Sequence, residues 1–179
     1  MNFIQKYYLN RQLKHFTENR KKVQVSVYTI DIITSLCLFT TYQSPDKWEE
    51  VYQCVKWFRQ KGKEITVICY FPFHEIPQQI SRIPNICTVS AKDANIFGQI
   101  NTQKKHQLAS PHYDVLIDTD VFSDLFGLYL KSLPNAEFRI GRNQDYCSYF
   151  DLTLCVDENH TINDYMSVLN QYTSRLKGN

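Results

Sequence analysis

Glycine is scarce in this sequence, and it is missing where a phosphate-binding loop would require it. The chain has 5 glycines among 179 residues. The segment after the first predicted strand, DIITSLCLFTTYQSPD (residues 31–46), contains none. A backbone cradle for a pyrophosphate needs glycines at the turn between strand and helix. The sequence therefore excludes a dinucleotide-binding Rossmann site and a P-loop.

Long apolar runs are absent as well. No stretch of the sequence approaches the ~20 apolar residues that a helix needs to cross a bilayer. The amino-terminal segment also lacks the uninterrupted apolar stretch of a secretory signal peptide. We therefore expect a chain without a transmembrane segment that resides in the cytoplasm.

The residue spacings typical of metal and redox sites are missing. The 6 cysteines contain no C-x-x-C pair, and the 5 histidines show neither H-x-x-x-H nor H-E-x-x-H spacing. No serine or cysteine stands at a recognisable distance from a histidine to form a catalytic triad. We therefore expect buried, reduced thiols, no metal ion and no cofactor.

The positive charge of the chain is concentrated at its amino terminus. Residues 1–22 contain one acidic side chain, Glu18, and the remainder of the chain carries a net charge of −3. The six basic residues of this segment are Lys6, Arg11, Lys14, Arg20, Lys21 and Lys22. We expect a basic amphipathic helix over residues 1–22. Its apolar side is predicted to contain Phe3, Ile4, Tyr7, Tyr8 and Phe16.

Three roles are open for this amino-terminal helix. It could lie on an anionic lipid surface, neutralise the phosphates of RNA, or pack across the domain with its basic side in solvent. A net charge of +5 over 22 residues is modest beside polybasic anchors. We therefore favour packing, with the six basic residues as candidates for contact with RNA or a membrane.

Segments typical of strands alternate with segments typical of helices. The predicted strands are VQVSVYTIDII (23–33), EITVICYF (64–71), NICTVS (85–90), YDVLID (113–118), EFRIG (137–141) and FDLTLCVD (150–157). Helical patterns cover 44–62, 122–133 and a segment from Thr161 onward, while 34–43 is poorly periodic. This alternation predicts right-handed crossovers and a mostly parallel sheet. Residues 23–179 are therefore expected to form one three-layer, Rossmann-like α/β domain.

Several polar residues are expected at the edge of the sheet where parallel sheets bind their ligands, the carboxyl ends of the strands. They are Asp31, His74, Asp118, Asp120, Arg142, Asp157 and Glu158. The first five are the candidate ligand-binding residues. For Arg142, a solvated side chain in a turn is a more common arrangement than an anion-binding site.

Asp118-Thr119-Asp120 admits three interpretations. In haloacid-dehalogenase-like phosphatases, a D-x-D triplet after an apolar strand supplies the nucleophile and binds magnesium. Many glycosyltransferases use D-x-D to hold a metal-bound sugar nucleotide. The phosphatases also place a lysine and further acids downstream, and no second acidic motif follows Asp120. We therefore favour structural roles, in which Asp118 caps its strand and Asp120 or Ser123 caps the next helix.

Two family resemblances accompany these patterns. The stretch YDVLIDTDVFSDLFGLYLKSLPNAEFRIGR (113–142), followed by YFDLTLCVD (149–157), resembles a family of short bacterial proteins, found in Bacteroidota, that has no assigned function. This resemblance spans nearly the whole chain, but it provides no known activity that could be transferred to this chain. The strand–helix–strand unit from Asp114 to Gly141 is similar to the amino-terminal half of heptosyltransferase-type glycosyltransferases, which implies a Rossmann-like fold.

The leading interpretation of function is a non-catalytic binding or assembly module, with a protein partner or a second copy of the chain as its target. An enzyme on a phosphorylated or nucleotide-sugar ligand is the first alternative. It would use Asp31, Asp118 and Asp120, with Arg142 on the anionic group. Contact with RNA or a membrane surface through the amino-terminal helix is the second alternative.

Overall fold

The architecture is a six-stranded parallel sheet with helices on both faces. A computed structural model of the chain describes residues 1–20, 31–72, 75–157 and 160–175. The strands are β1 (Ser35–Thr41), β2 (Glu64–Phe71), β3 (Ile86–Ser90), β4 (His112–Asp118), β5 (Asn135–Gly141) and β6 (Leu152–Thr153). The helices are α1 (Phe3–Asn19), α2 (Pro45–Gln60), α3 (Gln78–Ser81), α4 (Thr102–Ala109), α5 (Leu125–Ser132) and α6 (Ile162–Arg175). The order across the sheet is β3-β2-β1-β4-β5-β6, and every pair is parallel.

The inner strands bury side chains on both faces of the sheet. In β1, Leu36 and Leu38 belong to the core under α2 and α6, whereas Cys37 and Phe39 belong to the core under α1, α4 and α5. Successive residues of a strand alternate between its faces, so one short strand contributes to both cores. The sheet is thus the middle layer of three, and the expected α/β class is confirmed.

The first strand of the described sheet is not the one that was predicted. Residues 31–34 are not strand, and residues 21–30 lie outside the described part of the chain. The poorly periodic segment 34–43 supplies β1, in which residues 36–40 are all buried. A strand buried on both faces has no alternation of apolar and polar residues, which is why its pattern was not recognised. In the described part of the chain, Asp31 precedes β1.

The buried side of α1 also differs from the prediction. Leu9 and Leu13 are at most 2 % exposed and face the sheet. Phe3, Ile4 and Tyr7, which were expected on the apolar side, lie in solvent with at least 53 % of their surface exposed. Residues four apart share one side of a helix, and the leucine pair packs more completely than the aromatic residues do. The helix ends at Asn19 rather than at residue 22.

Capping residues set the starts of α2 and α6, at the positions where the helical patterns begin. Ser44 Oγ accepts a hydrogen bond from the amide of Lys47 at the start of α2. Before α6, Thr161 Oγ1 accepts from the amide of Asp164, and Asp164 Oδ2 accepts from the amide of Thr161. Each cap satisfies amides that the first helical turn leaves without a partner. The last strand is shorter than predicted, because β6 contains only two residues.

The helix after β4 begins later than predicted. Its cap is Asp124, whose Oδ1 accepts from the amide of Gly127 at 2.6 Å. The assignment of this role to Asp120 or Ser123 was therefore wrong. Phe122 was expected in the apolar stripe of the helix, but it precedes the helix and is 65 % exposed. The carboxylate of Asp120 therefore does not cap this helix.

Gly141, at the end of β5, has no room for a side chain. A Cβ atom at this position would lie 2.6 Å from Phe150 Cγ, well inside ordinary contact distance. We expect Gly141→Ala to lower the free energy of unfolding by roughly 1–3 kcal/mol through overpacking. Urea unfolding measures the change. Adding Phe150→Leu should cost less than the sum of the two single effects, and a Gly141→Ala protein as stable as the parent would contradict this packing.

Candidate functional site

The carboxyl ends of β1, β4 and β5 meet where the chain order of the strands reverses. β1 and β4 are neighbours there, with Phe39 paired to Asp118. Sheets of this kind bind their ligands in the crevice at this point. Three of the predicted ligand-binding residues, Asp118, Asp120 and Arg142, lie at this edge, and none is more than 5 % exposed.

Both carboxylate oxygens of Asp118 are engaged within the chain. Oδ1 accepts a hydrogen bond from the amide of Asp120 at 3.1 Å. Oδ2 accepts one from Lys131 Nζ at 2.7 Å, and both side chains of this pair are buried. Asp118 therefore connects β4 to the following loop and to α5.

Asp120 connects β4 to the neighbouring strand β1. Its Oδ1 accepts from the amide of Thr41 at 2.7 Å, and its Oδ2 accepts from the Thr41 hydroxyl at 2.6 Å. Between the two aspartates, the amide and hydroxyl of Thr119 both donate to the backbone carbonyl of Phe39, at 3.0 and 3.1 Å. Thr119 and Asp120 thus hold the two central strands together.

Lys131 is the site residue that the sequence analysis missed. Its ammonium lies 3.2 Å from Asp120 Oδ2 as well as beside Asp118, and it also donates to Ser123 Oγ. Residues 126–131 of α5 are all buried, so this helix has no solvent-facing side. A lysine inside such a helix needs a buried anion as its partner. That requirement is the signal by which Lys131 could have been recognised.

The cluster combines two carboxylates and one ammonium away from solvent. Burial raises the pKa of Asp118 to about 7, an effect that Lys131 opposes and Asp120 increases. Burial would lower the pKa of Lys131, but the attraction of both carboxylates outweighs it, and the pKa of Lys131 is raised. The lysine therefore stays charged, whereas Asp118 takes up a proton near neutral pH.

Arg142 is buried, and the expectation of a solvated turn arginine was wrong. Its guanidinium donates to three backbone carbonyls: those of Thr119 at 3.4 Å, Asp157 at 3.1 Å and His160 at 2.6 Å. It also lies 5.6 Å from the centre of the Tyr165 ring. Arg142 thus joins the loop after β4 to the segment that precedes α6, and the guanidinium fills part of the crevice.

Little of the crevice remains open. Its cavity has a volume of about 50 Å³. Pockets for small-molecule ligands usually have about 300–1,000 Å³, whereas one water molecule takes up about 30 Å³ of liquid volume. The walls include Thr40, Thr41, Thr119, Asp120, Arg142 and His160. A nucleotide or sugar nucleotide cannot enter this space without displacing the side chains that line it.

The remaining predicted site residues do not join this cluster. The backbone carbonyl of Asp31 accepts from Lys63 Nζ at 2.9 Å, and Lys63 immediately precedes β2, so Asp31 lies at the opposite edge of the sheet. Asp157 contributes its backbone carbonyl to Arg142. His74 and Glu158 lie outside the described residues.

The basic residues of the amino-terminal segment have different environments. Lys6, Arg11 and Lys14 are exposed on α1, whereas Lys21 and Lys22 lie outside the described residues. Arg20 faces inward, pairs with the buried Asp151 and donates to the carbonyl of Tyr149 at 3.1 Å. Burial lowers the pKa of Arg20, although Asp151 opposes this. Arg20 therefore fastens the end of α1 to the sheet and is not available to an external partner.

Potential metal ligands are not gathered in one place. Among the described residues there is no group of three His, Cys, Asp or Glu side chains that could hold a metal ion. In the crevice, the Lys131 ammonium occupies the position between the two aspartates that a cation would take. All six cysteines are free, and four are buried as predicted, but Cys147 and Cys155 are exposed.

Comparison with known proteins identifies a family of unknown function. Residues 2–176 match the model of a family described as a family of unknown function, DUF6913. No curated protein matches the chain. None of the helices in the described ranges has the length and apolar character required to span a membrane.

Removing the cation from the buried cluster should be costly. Lys131→Met would leave two buried carboxylates without a cation beside them, so we expect the free energy of unfolding to fall by about 3–5 kcal/mol. Urea unfolding of the purified variant measures the loss. Lys56→Met, at an exposed position of α2, is the matched control and should change stability by about 0.5 kcal/mol or less. Equal effects of the two substitutions would contradict the pairing.

The raised pKa of Asp118 should make stability depend on pH. The ordinary pKa of the carboxyl group is 3.8, and the pKa of Asp118 in the folded chain is about 7. Between these two pH values, Asp118 keeps its proton in the folded chain and has lost it in the unfolded chain. This contribution is complete below the lower value and is lost as the pH rises through the higher one. The expected slope is at most about 1.4 kcal/mol per pH unit.

Asp118→Asn removes this titration, so its free energy of unfolding should fall less between those two pH values than that of the parent. Urea unfolding over a pH series compares the slopes. Glu49→Gln, at an exposed position of α2, is the control and should keep the parental slope. Parallel profiles for the parent and Asp118→Asn would show that Asp118 does not hold the proton.

Proposed function

The chain belongs to DUF6913, a family of unknown function, and we propose that it is a non-catalytic binding or assembly module. The observation that carries this proposal is the occupation of the crevice by the chain's own side chains. Lys131 lies between Asp118 and Asp120, and Arg142 bonds to three carbonyls across the opening. Groups that would have to bind a substrate or a metal are thus used to join strands and helices.

The environment of the two aspartates supports a structural role. A general acid or a nucleophile has to reach its substrate within hydrogen-bonding distance. Asp118 and Asp120 are 2 % and 3 % exposed, and every oxygen of the pair already accepts from a donor of the chain. The raised pKa of Asp118 follows from burial of its carboxyl group in a closed cluster and does not require a catalytic task.

The alternative of an enzyme on a phosphorylated or nucleotide-sugar ligand has less support. It required the strand-end carboxylates of Asp31, Asp118 and Asp120 to converge in an open cleft. Asp31 lies at the opposite edge of the sheet, and the cavity at the other two is about 50 Å³. The resemblance to glycosyltransferases that the sequence suggested concerns only a strand–helix–strand arrangement and adds nothing in favour of transfer chemistry.

A cytoplasmic location is part of the proposal. It is supported by the six free cysteines, two of which, Cys147 and Cys155, are exposed. Exposed thiols persist most readily in a reducing compartment. Binding would then occur on the outer surface of the domain, where α1 presents apolar and basic side chains to solvent.

The test is thermal unfolding with magnesium, manganese, nucleoside phosphates and sugar nucleotides. We expect no change in the unfolding temperature. A ligand at 100 times its Kd would stabilise the protein by about 2.7 kcal/mol, which corresponds to a shift of a few degrees for a domain of this size. A shift that disappears in Asp118→Asn/Asp120→Asn would overturn the proposal. Because that variant also removes contacts to Lys131 and Thr41, Lys47→Ala, at the partly exposed mouth of the crevice, gives an independent check.

A further inference from the structure

Apolar side chains are exposed together at the amino-terminal end of α1. They come from two parts of the chain, the first helical turns and the loop 95–98 that lies against them. The residues, with their exposed fractions, are Met1 (59 %), Phe3 (84 %), Ile4 (53 %), Tyr7 (58 %), Ile96 (73 %) and Phe97 (37 %). We call this set the α1 patch. Clustered exposure of large apolar residues marks an interaction surface more often than single exposed residues do.

The two halves of the α1 patch are held in contact. The Tyr8 ring lies 5.7 Å from the Tyr7 ring and 4.9 Å from the Phe97 ring, measured between centroids. Gly98 approaches α1 so closely that a Cβ atom there would lie 3.1 Å from a methyl carbon of Leu9. The patch is therefore continuous and is fixed to the buried side of the helix.

The loop itself is closed by hydrogen bonds. Asn95 Oδ1 accepts from the amides of Phe97 and Gln99 at 2.9 and 3.1 Å, and the amide of Asn95 donates to the carbonyl of Gln99 at 2.8 Å. Gly98 has a φ of +77°, a backbone conformation that other residues rarely adopt. This turn leaves the side chain of Ile96 directed into solvent at a set position beside α1.

Basic side chains lie on the same side of α1 as the patch. Residues four, seven or eleven positions apart share one side of a helix. Tyr7 and Lys14 follow Phe3 by four and eleven positions, and Arg11 follows Ile4 by seven. All five are exposed. The nearest acid on that side, Glu18, lies 3.7 Å from Lys14. The surface therefore offers apolar side chains bordered by an excess of positive charge.

We infer that the α1 patch docks on an anionic membrane surface. The inference rests on the proposed function and names the partner of the binding module. Aliphatic and aromatic side chains at the end of a helix can enter the boundary between headgroups and acyl chains, while Arg11 and Lys14 contact lipid phosphates. The helix lies on the membrane and does not cross it.

Two other partners fit the patch less well. Single-stranded RNA is bound by stacking of bases on aromatic rings along a basic groove, and Met1, Ile4 and Ile96 have no ring on which a base can stack. In a symmetric dimer, the same patch of each copy would meet, which would bring Arg11 and Lys14 against the positive charges of the other copy. An anionic lipid surface satisfies the apolar and the charged part of the patch at once.

The experiment is flotation of the full chain with lipid vesicles. Vesicles that contain phosphatidylglycerol are compared with vesicles of phosphatidylcholine alone, at low and at high salt. We expect binding to the anionic vesicles that weakens as salt is added. Phe3→Ser/Ile96→Ser should reduce this binding at least tenfold. Arg11→Gln/Lys14→Gln should reduce it by about tenfold and should also reduce its dependence on salt.

Matched controls come from the opposite face of the sheet. Tyr52→Ser/Val168→Ser replaces two side chains that are 43 % and 40 % exposed on α2 and α6, and Lys56→Gln/Arg59→Gln removes two charges from α2. Both controls should bind vesicles as the parent does. Equal losses in the controls and the patch variants would overturn the inference, because binding would then not depend on the patch.

The other outcomes identify different partners. Failure of the parent to bind anionic vesicles overturns the inference, and so does salt-sensitive binding of RNA in its place. Self-association that is lost in Phe3→Ser/Ile96→Ser, measured by sedimentation without lipid, would assign the patch to a second copy. None of these results changes the unfolding temperature in the presence of metal ions, nucleoside phosphates or sugar nucleotides. A wrong membrane assignment is therefore distinguishable from a wrong proposal of a non-catalytic module.

Discussion

The ion cluster of Lys131 with Asp118 and Asp120 is the interaction on which the centre of this structure depends. It links β4 to α5 through Asp118, and through Asp120 it reaches Thr41 at the end of β1. Isolated charges in a protein interior are strongly unfavourable, so each member of the cluster requires the others. The register of the two central strands and the placement of α5 are therefore coupled to a single set of polar contacts.

This coupling changes the role of a place that usually serves ligands. The strand order leads to a crevice between β1 and β4, as in dinucleotide-binding folds. Here the crevice contains the ammonium of Lys131, which pairs with both aspartates, and the guanidinium of Arg142, which donates to backbone carbonyls. The polar groups at this point of the fold therefore hold strands and helices together.

Much of the fold was accessible from the sequence, and the failures have physical causes. The predicted strands of β2, β4 and β5 and the caps of α2 and α6 follow from local patterns. β1 was missed because burial on both faces removes the alternation that identifies a strand. The buried side of α1 was misassigned because local sequence does not show that Leu9 and Leu13 meet the sheet. The partners of Lys131 depend on tertiary packing, although a lysine in a wholly apolar helix was a usable signal.

The anchoring of Arg20 to Asp151 has a consequence for how the chain acquires its structure during synthesis. The two residues are 131 positions apart, and Leu9 of the same helix packs with residues of α5 and β4. The helix at the amino terminus therefore leaves the ribosome long before the surfaces that receive it exist. Until α5 has emerged, Leu9 lacks the side chains that bury it in the folded chain, and apolar surface of α1 stays exposed on the nascent protein.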